Sequence, residues 1–439
     1  MTDGAALDGA AVSTDAGLVR VIGTVGLTAS IVNVTVGGGI FRLPASTEVT
    51  GRLGAAAPLA YVACAVVMGL IVLCIAEAGR RVSLTGGPYA YVEATFGPYI
   101  GFLVGVMLWL LGCTAMPAVA GVLADTVGRA VPTLATPMAR ALLLAVTFAV
   151  VAAINVLGVR QGTRLNTVLT VAKLGPLLLL LFVGLFAVRG ANLAWHSGVP
   201  SAPDISRASV FLIFAFAGVE SALVPSGEVR DPTRTVPRAV LIAMALVTVL
   251  YIGLQTVAQG VLGPALVGDP APLATAAGHV LGPSGATILG VGFIISAFGY
   301  LSGMTLAVPR ALFAFARDGF LPRRIADVHP RFHTPWIAII VQSALAWILA
   351  VTNGFEGLAI IANVSAALVY LGCAAAAWRL RPRGNIRAAI VPVLAALALL
   401  FLLSSVTLKE WSVLLAVTAV ASLAFMISRR RAAVAVPAP

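Results

Sequence analysis

Val36-Gly37-Gly38-Gly39-Ile40-Phe41-Arg42-Leu43-Pro44 lies inside the first long apolar stretch of the chain, residues 20–48. Three consecutive glycines cost a helix about 1 kcal/mol each relative to alanine. They carry no side chains, so their N–H groups can come close to a ligand. A break here exposes the start of a half-helix running from Ile40 onward. Such an end presents free N–H donors and partial positive charge, which suit a carboxylate. Small residues also line close contacts between membrane helices. The motif alone is compatible with either use.

The surroundings of this stretch fix the class. Of 439 residues, 60% are hydrophobic and 10% charged, and the mean hydropathy is +1.03. A soluble domain is about 45–50% apolar and about 25% charged, so lipid must solvate most of this chain. A membrane-crossing helix needs about 20 largely apolar residues. Twelve such stretches occur, at 20–48, 56–79, 99–127, 139–157, 165–187, 208–226, 238–260, 286–314, 335–352, 357–378, 387–406 and 411–428. Strand-like alternation is absent, so the fold class read here is an all-α polytopic membrane protein. The first 18 residues are polar and acidic and have no basic segment, so the first span is expected to direct insertion.

The net charge of +12 is no sign of nucleic acid, because the cations sit between apolar runs. With the N-terminus in the cytoplasm, twenty Arg face inside. Outside fall seven cations, Arg42, Arg52, Arg129, Arg140, Arg189, Arg207 and Lys409. That asymmetry places both termini in the cytoplasm of a cell (plasma or inner) membrane. Cys64, Cys74, Cys113 and Cys373 all lie in apolar runs and read as small buried hydrophobes. No metal, cofactor or catalytic set is expected; the four histidines fall in or beside loops.

A second interrupted span answers the first. Phe214-Ala215-Phe216-Ala217-Gly218-Val219-Glu220-Ser221 lies inside the sixth stretch, with Pro225 and Gly227 behind it. Residues 20–187 hold five spans and 208–378 five more, and an odd number per unit makes the two units inverted. Residues 1–19 form an N-terminal tail, 188–207 an outer loop, 379–428 two added spans and 429–439 a C-terminal tail. Paired breaks at matching positions point to a transporter site near the midplane. Freed carbonyls at Phe214, Ala215 and Ala217 are acceptors for an ammonium group, and Phe41, Phe214 and Phe216 are candidate lids or simply core aromatics. Glu220 is an acid within an apolar span, a position that often marks a proton path. Lys173, inside the fifth span, either snorkels or is a buried ammonium held by carbonyls of the first break. Lys173 and Glu220 are the candidates for proton coupling.

These segments resemble the amino acid–polyamine–organocation superfamily. Gly37-Gly38-Gly39-Ile40-Phe41 through Pro44 is similar to its first-span signature. Glu77, Gly86-Gly87-Pro88-Tyr89-Ala90-Tyr91 and Phe96-Gly97 follow as in that family, as do Gly158-Val159 through Asn166 with Lys173, Glu228, Asp231-Pro232-Thr233-Arg234, and Arg317-Asp318-Gly319-Phe320-Leu321-Pro322. The resemblance implies a leucine-transporter-like 5+5 inverted repeat with two extra C-terminal helices. It implies an amino acid held between spans 1 and 6. Its carboxylate would lie on the backbone of Thr35, Gly38 and Gly39, with Gly37, Ile40 and Phe41 in the same site. Its amine would lie on the carbonyls of Phe214, Ala215 and Ala217, with Phe216 and Gly218 in the same site. Met116, Val119 and Met304 would face its side chain. By the same resemblance, Lys173 takes the place of Na⁺ in sodium-driven relatives. Gly38 stands where the family usually has Ser or Thr. Met304 stands where an agmatine exchanger of the family has Trp, which removes a cation–π contact.

The expectation is therefore Na⁺-independent transport of neutral, hydrophobic L-amino acids by alternating access, coupled to protons or run as exchange. A polyamine or cationic amino acid carrier of the same fold is the alternative. A channel would need a continuous polar ring along its pore, which these spans do not supply.

Overall fold

A computed structural model describes residues 23–79, 88–157, 163–194, 198–218, 231–382 and 386–434. Glu220, Glu228, Pro225, Gly227, Gly86, Gly87, Gly158 and Val159 lie outside the described residues. So do both tail ends.

The described residues form fifteen α-helices and no strand. With no water in the bilayer core, the backbone must satisfy its own hydrogen bonds, and a helix does so within one segment. The first span begins as α1 (Thr24–Thr35) and resumes as α2 (Gly39–Arg42). Then come α3 (Ala57–Gly79), α4 (Pro88–Phe96), α5 (Pro98–Ala130), α6 (Pro137–Val156) and α7 (Thr163–Gly184). The second half holds α8 (Ala202–Phe216), α9 (Pro232–Leu262), α10 (Pro272–Ala307), α11 (Pro309–Arg317), α12 (Trp336–Thr352) and α13 (Phe355–Leu380). The last two are α14 (Arg387–Leu403) and α15 (Leu408–Val434). Proline opens many of these, at the position where its missing N–H costs nothing. Thr136 and Ser201 cap α6 and α8 through their side-chain oxygens.

All twelve apolar stretches carry helix. Among the described residues, seven segments are long and apolar enough to cross a membrane by length and composition, and four shorter apolar helices accompany them. One detail differs from expectation. The first span does not continue as a half-helix to residue 48. After the single turn of α2 the chain tightens into a 3-10 turn, Leu43–Ala45, extends at Ser46, and makes one π-helical turn, Thr47–Gly51. Pro44 has no N–H to continue the ladder. The Thr50 hydroxyl donates to the Pro44 carbonyl at 2.6 Å, which stabilises the irregular path. Ser46 and the Thr47 N–H both reach the Glu356 carboxylate at 3.1 Å, tying this segment to the start of α13.

The packing partners come in exchanged pairs. Helix α1 packs on α9, and α8 packs on α3. Helix α5 packs on α13, and α10 packs on α7. Helix α6 meets both α10 and α12, and α12 also meets α5. Numbered as spans, with α1 as 1, α3 as 2, α5 to α7 as 3 to 5, α8 to α10 as 6 to 8, α12 as 9 and α13 as 10, each pair becomes another when five is added or subtracted, except α6–α12, which becomes itself. Helices α5 and α13 both carry small buried residues, among them Ala115, Ala118, Ala362, Ala366 and Ala377. Lipid gives helices no hydrophobic reason to associate, so close backbone approach of this kind supplies the contact.

Candidate substrate site at two broken helices

The first break starts at Val36, whose ψ of 85° leaves the helix while its N–H still donates to the Val32 carbonyl. Gly38 has ordinary helical angles, φ −61° and ψ −23°. The triplet therefore serves proximity rather than an unusual backbone. A Cβ at Gly39 would lie 3.1 Å from Ala215 Cα, 3.1 Å from Phe214 Cδ1 and 3.2 Å from the Phe214 carbonyl oxygen. A Cβ at Gly38 would lie 3.0 Å from Val119 Cγ1.

Helix α8 ends at Phe216, where the sequence places the second break; the residues beyond Gly218 up to 230 lie outside the described ones. Ala217 is extended, with ψ 145°, and Gly218 has φ +103°. Tyr251, fully buried on α9, joins the two breaks. Its hydroxyl is 2.9 Å from the Thr35 carbonyl oxygen and 2.9 Å from that of Ala215. Lys173 reaches the same region from α7 and donates its ammonium to the Asn33 carbonyl, one turn short of the break. Thr35 Oγ1 is buried there without a hydrogen-bond partner.

Thr35, Gly38, Gly39, Val119, Phe214 and Ala215 thus converge, with Ile40 buried beside them and Met116 buried one turn from Val119 on α5. Gly37 lies in the break itself. The aromatic candidates divide. Phe214 leans over Gly39 and meets Phe355 edge-on at 5.4 Å. Phe41 packs on Phe293 of α10 at 4.7 Å. Phe216 is buried against Tyr251 at 5.3 Å, on the α9 side. Met304 packs where α5 has Gly112, its Cε 3.4 Å from the place of a Cβ there.

Sequence reasoning missed Tyr251. A signal was present: Tyr251, Gln255 and Gln259 recur at four-residue spacing on an apolar helix, which makes one polar stripe. Gln255 donates to Thr50 at 2.8 Å and accepts from Tyr61 at 3.3 Å, extending the stripe's bonds to the segment after the first break.

The end of the bundle read as outer is laced by ions. Arg207 grips Glu410 with two bonds of 2.7 and 2.8 Å and reaches Glu48 at 3.3 Å. Arg52 bridges Glu48 at 2.5 Å and Asp204 at 3.3 Å. Arg42 donates to the Asp269 carbonyl, and Arg129 pairs with the Asp269 carboxylate at 2.8 Å.

Residues 22–438 match a family model described as amino acid permease. The chain belongs to that family. The permease is similar to the serine/threonine exchanger SteT of Bacillus subtilis (strain 168), 30% identical over 392 residues, covering 86% of this chain and 88% of that protein. It is similar to the methylthioribose transporter of the same organism, 30% identical over 380 residues, 82% and 79% of the two chains. An uncharacterized transporter of Mycobacterium bovis is 31% identical over 366 residues, 76% and 75% of the two chains. The permease is an integral multi-pass membrane transporter of small molecules and not an enzyme.

Proposed function

We propose that the permease carries neutral, apolar-side-chain L-amino acids across the cell membrane by alternating access, with both termini cytoplasmic. The observation that carries this reading is the meeting of the two breaks, where a Cβ at Gly39 would lie 3.1 Å from Ala215 Cα and 3.2 Å from the Phe214 carbonyl oxygen, so donors freed at one break and carbonyls freed at the other share one place. An amino acid has both complements on one carbon. Because α2 is a single turn, free N–H donors rather than a summed helix dipole hold the carboxylate in this proposal. Met116 and Val119 offer the side chain an uncharged surface. The two named relatives take different cargoes, a hydroxylated amino acid pair and a thioether sugar, so the lining has to decide. The exchanged packing pairs support the 5+5 inverted repeat over 20–187 and 208–378, with 379–428 added outside it.

Purified permease in liposomes tests the cargo. Each CH₂ that fits adds about 0.8 kcal/mol, so leucine, isoleucine and methionine should outcompete serine, arginine and aspartate. Arginine winning would install the cationic or polyamine reading.

Lys173 is the proposed coupling group, standing in for Na⁺ beneath the first break, with Glu220 as the second proton candidate. Uptake should need no Na⁺ and should respond to a pH gradient, and Lys173→Ala should lose that response. A strict Na⁺ requirement would remove Lys173 from the role. Equal pH profiles in the two proteins would move coupling to Glu220 or leave proton-free exchange.

A further inference from the structure

A groove of about 240 Å³ runs between α13 and α14, away from the two breaks. Ala374, Ala375 and Trp378 line it from α13, and Pro392, Ala396 and Leu397 from α14. The alanines leave room that longer side chains would fill. The groove is open sideways: Trp378 is 46% exposed and Leu397 58% exposed. Pockets for compact ligands run to about 300–1,000 Å³ and enclose them; this slot fits a length of flexible chain.

Cations stand at one end of it. The Arg381 guanidinium lies over the Trp378 ring at 4.2 Å, and its Nη1 donates to the Trp378 carbonyl at 2.6 Å. Stacking occupies the face of a guanidinium and leaves donors on its edge, in the fork that matches a phosphate. Arg379 lies over Phe96 at 5.4 Å, one position from the same corner. The connection 379–387 contains Arg379, Arg381, Arg383 and Arg387, and no acid occurs from 379 to 408. Trp beside Arg is the pattern of a helix end at the membrane–water boundary. In a bilayer an apolar slot by itself selects nothing, because the lipid tails around it are as apolar as its walls. Selection must come from the charged end, and basic pockets between membrane helices hold anionic headgroups.

We propose that the α13–α14 groove binds one anionic glycerophospholipid, with an acyl chain along the alanine-lined slot and the phosphodiester on Arg381. The site is independent of the cargo and of the orientation; orientation decides only which leaflet supplies the lipid.

Native mass spectrometry of the full chain in mild detergent tests it, with palmitoyl-oleoyl phosphatidylglycerol or the matching phosphatidylcholine added. The wild type should keep one phosphatidylglycerol under conditions that strip phosphatidylcholine. Arg381→Gln should lower the ratio of lipid-bound to lipid-free protein about fivefold, the weight of one cation near an anionic surface. Ala375→Phe with Ala396→Phe should remove it by filling the slot. Arg381→Gln changes a boundary residue and should melt and elute as the wild type, so the proposal stays testable even if the double variant does not fold. Phosphatidylglycerol held equally by wild type and Arg381→Gln overturns the site. Phosphatidylcholine held as firmly as phosphatidylglycerol overturns it too. A dimer in liposomes that the double variant splits, with lipid retention unchanged, would overturn it in favour of a second copy of the chain as the occupant.

Discussion

The two breaks do the same thing to a helix by different means. In the first span, α1 stops and Gly38 and Gly39 behind it keep helical angles; what they provide is the absence of a side chain, at Gly39 where a Cβ would lie 3.1 Å from α8. In the sixth span, α8 stops at Phe216 and Gly218 turns the chain at φ +103°, a value that side-chain-bearing residues rarely adopt. One site needs glycine for its size and the other for its backbone. A glycine in a broken span therefore has no single meaning, and substitutions can separate the two.

The largest effect is expected from Gly39→Val. Its side chain would enter the space held by Ala215 and Phe214, and overpacking costs about 1–3 kcal/mol. At the upper end substrate affinity falls about a hundredfold. Thermal-shift titration with leucine reads it, and unchanged affinity would separate the triplet from the site.

The sharpest test is a crossover. Gly218→Ala places a Cβ on a strained backbone, at about 1–3 kcal/mol. Asn tolerates positive φ better than Ala. At 218, Asn should therefore give the higher melting temperature, whereas at 39 the smaller Ala should outperform Asn. The same order at both positions would collapse the distinction.

Tyr251→Phe comes next. It takes the phenol from two buried carbonyls and leaves them without it, at about 1–3 kcal/mol. Because the hydroxyl touches both breaks, stability and substrate affinity should fall together; a loss confined to stability would make Tyr251 a packing residue only. The smallest effect belongs to Gly38→Ala. Its Cβ would press on Val119 at 3.0 Å, and a valine rotamer can give a few tenths of an ångström. A cost below about 1 kcal/mol is expected from such slight overpacking, relieved in Gly38→Ala with Val119→Ala.

Much of this was legible before any coordinates. Twelve apolar stretches and two interrupted spans follow from residue type and spacing, while for Lys173 they left two readings open, snorkelling or a bond to the first break. What could not be read has a common cause. Helical periodicity assigns faces only while the helix lasts, and Phe41 and Phe216 sit where it ends. Their partners, Phe293 and Tyr251, were therefore open until the chain was traced through the breaks. The one-turn length of α2 depended on where Pro44 and Thr50 meet, a contact that apolar length does not encode. Tyr251 was hidden for another reason. A tyrosine in an apolar run is mostly hydrocarbon, and only its four-residue rhythm with Gln255 and Gln259 betrayed a polar purpose.

The Tyr251 hydroxyl owns one proton and faces two carbonyl oxygens at equal distance. At any instant one of the two oxygens has the weaker share of a donor. An ammonium arriving at Ala215 would supply the second donor, and the phenol's proton could then settle on Thr35 alone. On the proposed reading, one phenol proton is shared between two carbonyls, and the amine of the cargo would complete the count. A cargo without an amine would leave that deficit in place, and the two helix ends would remain competitors for a single hydrogen.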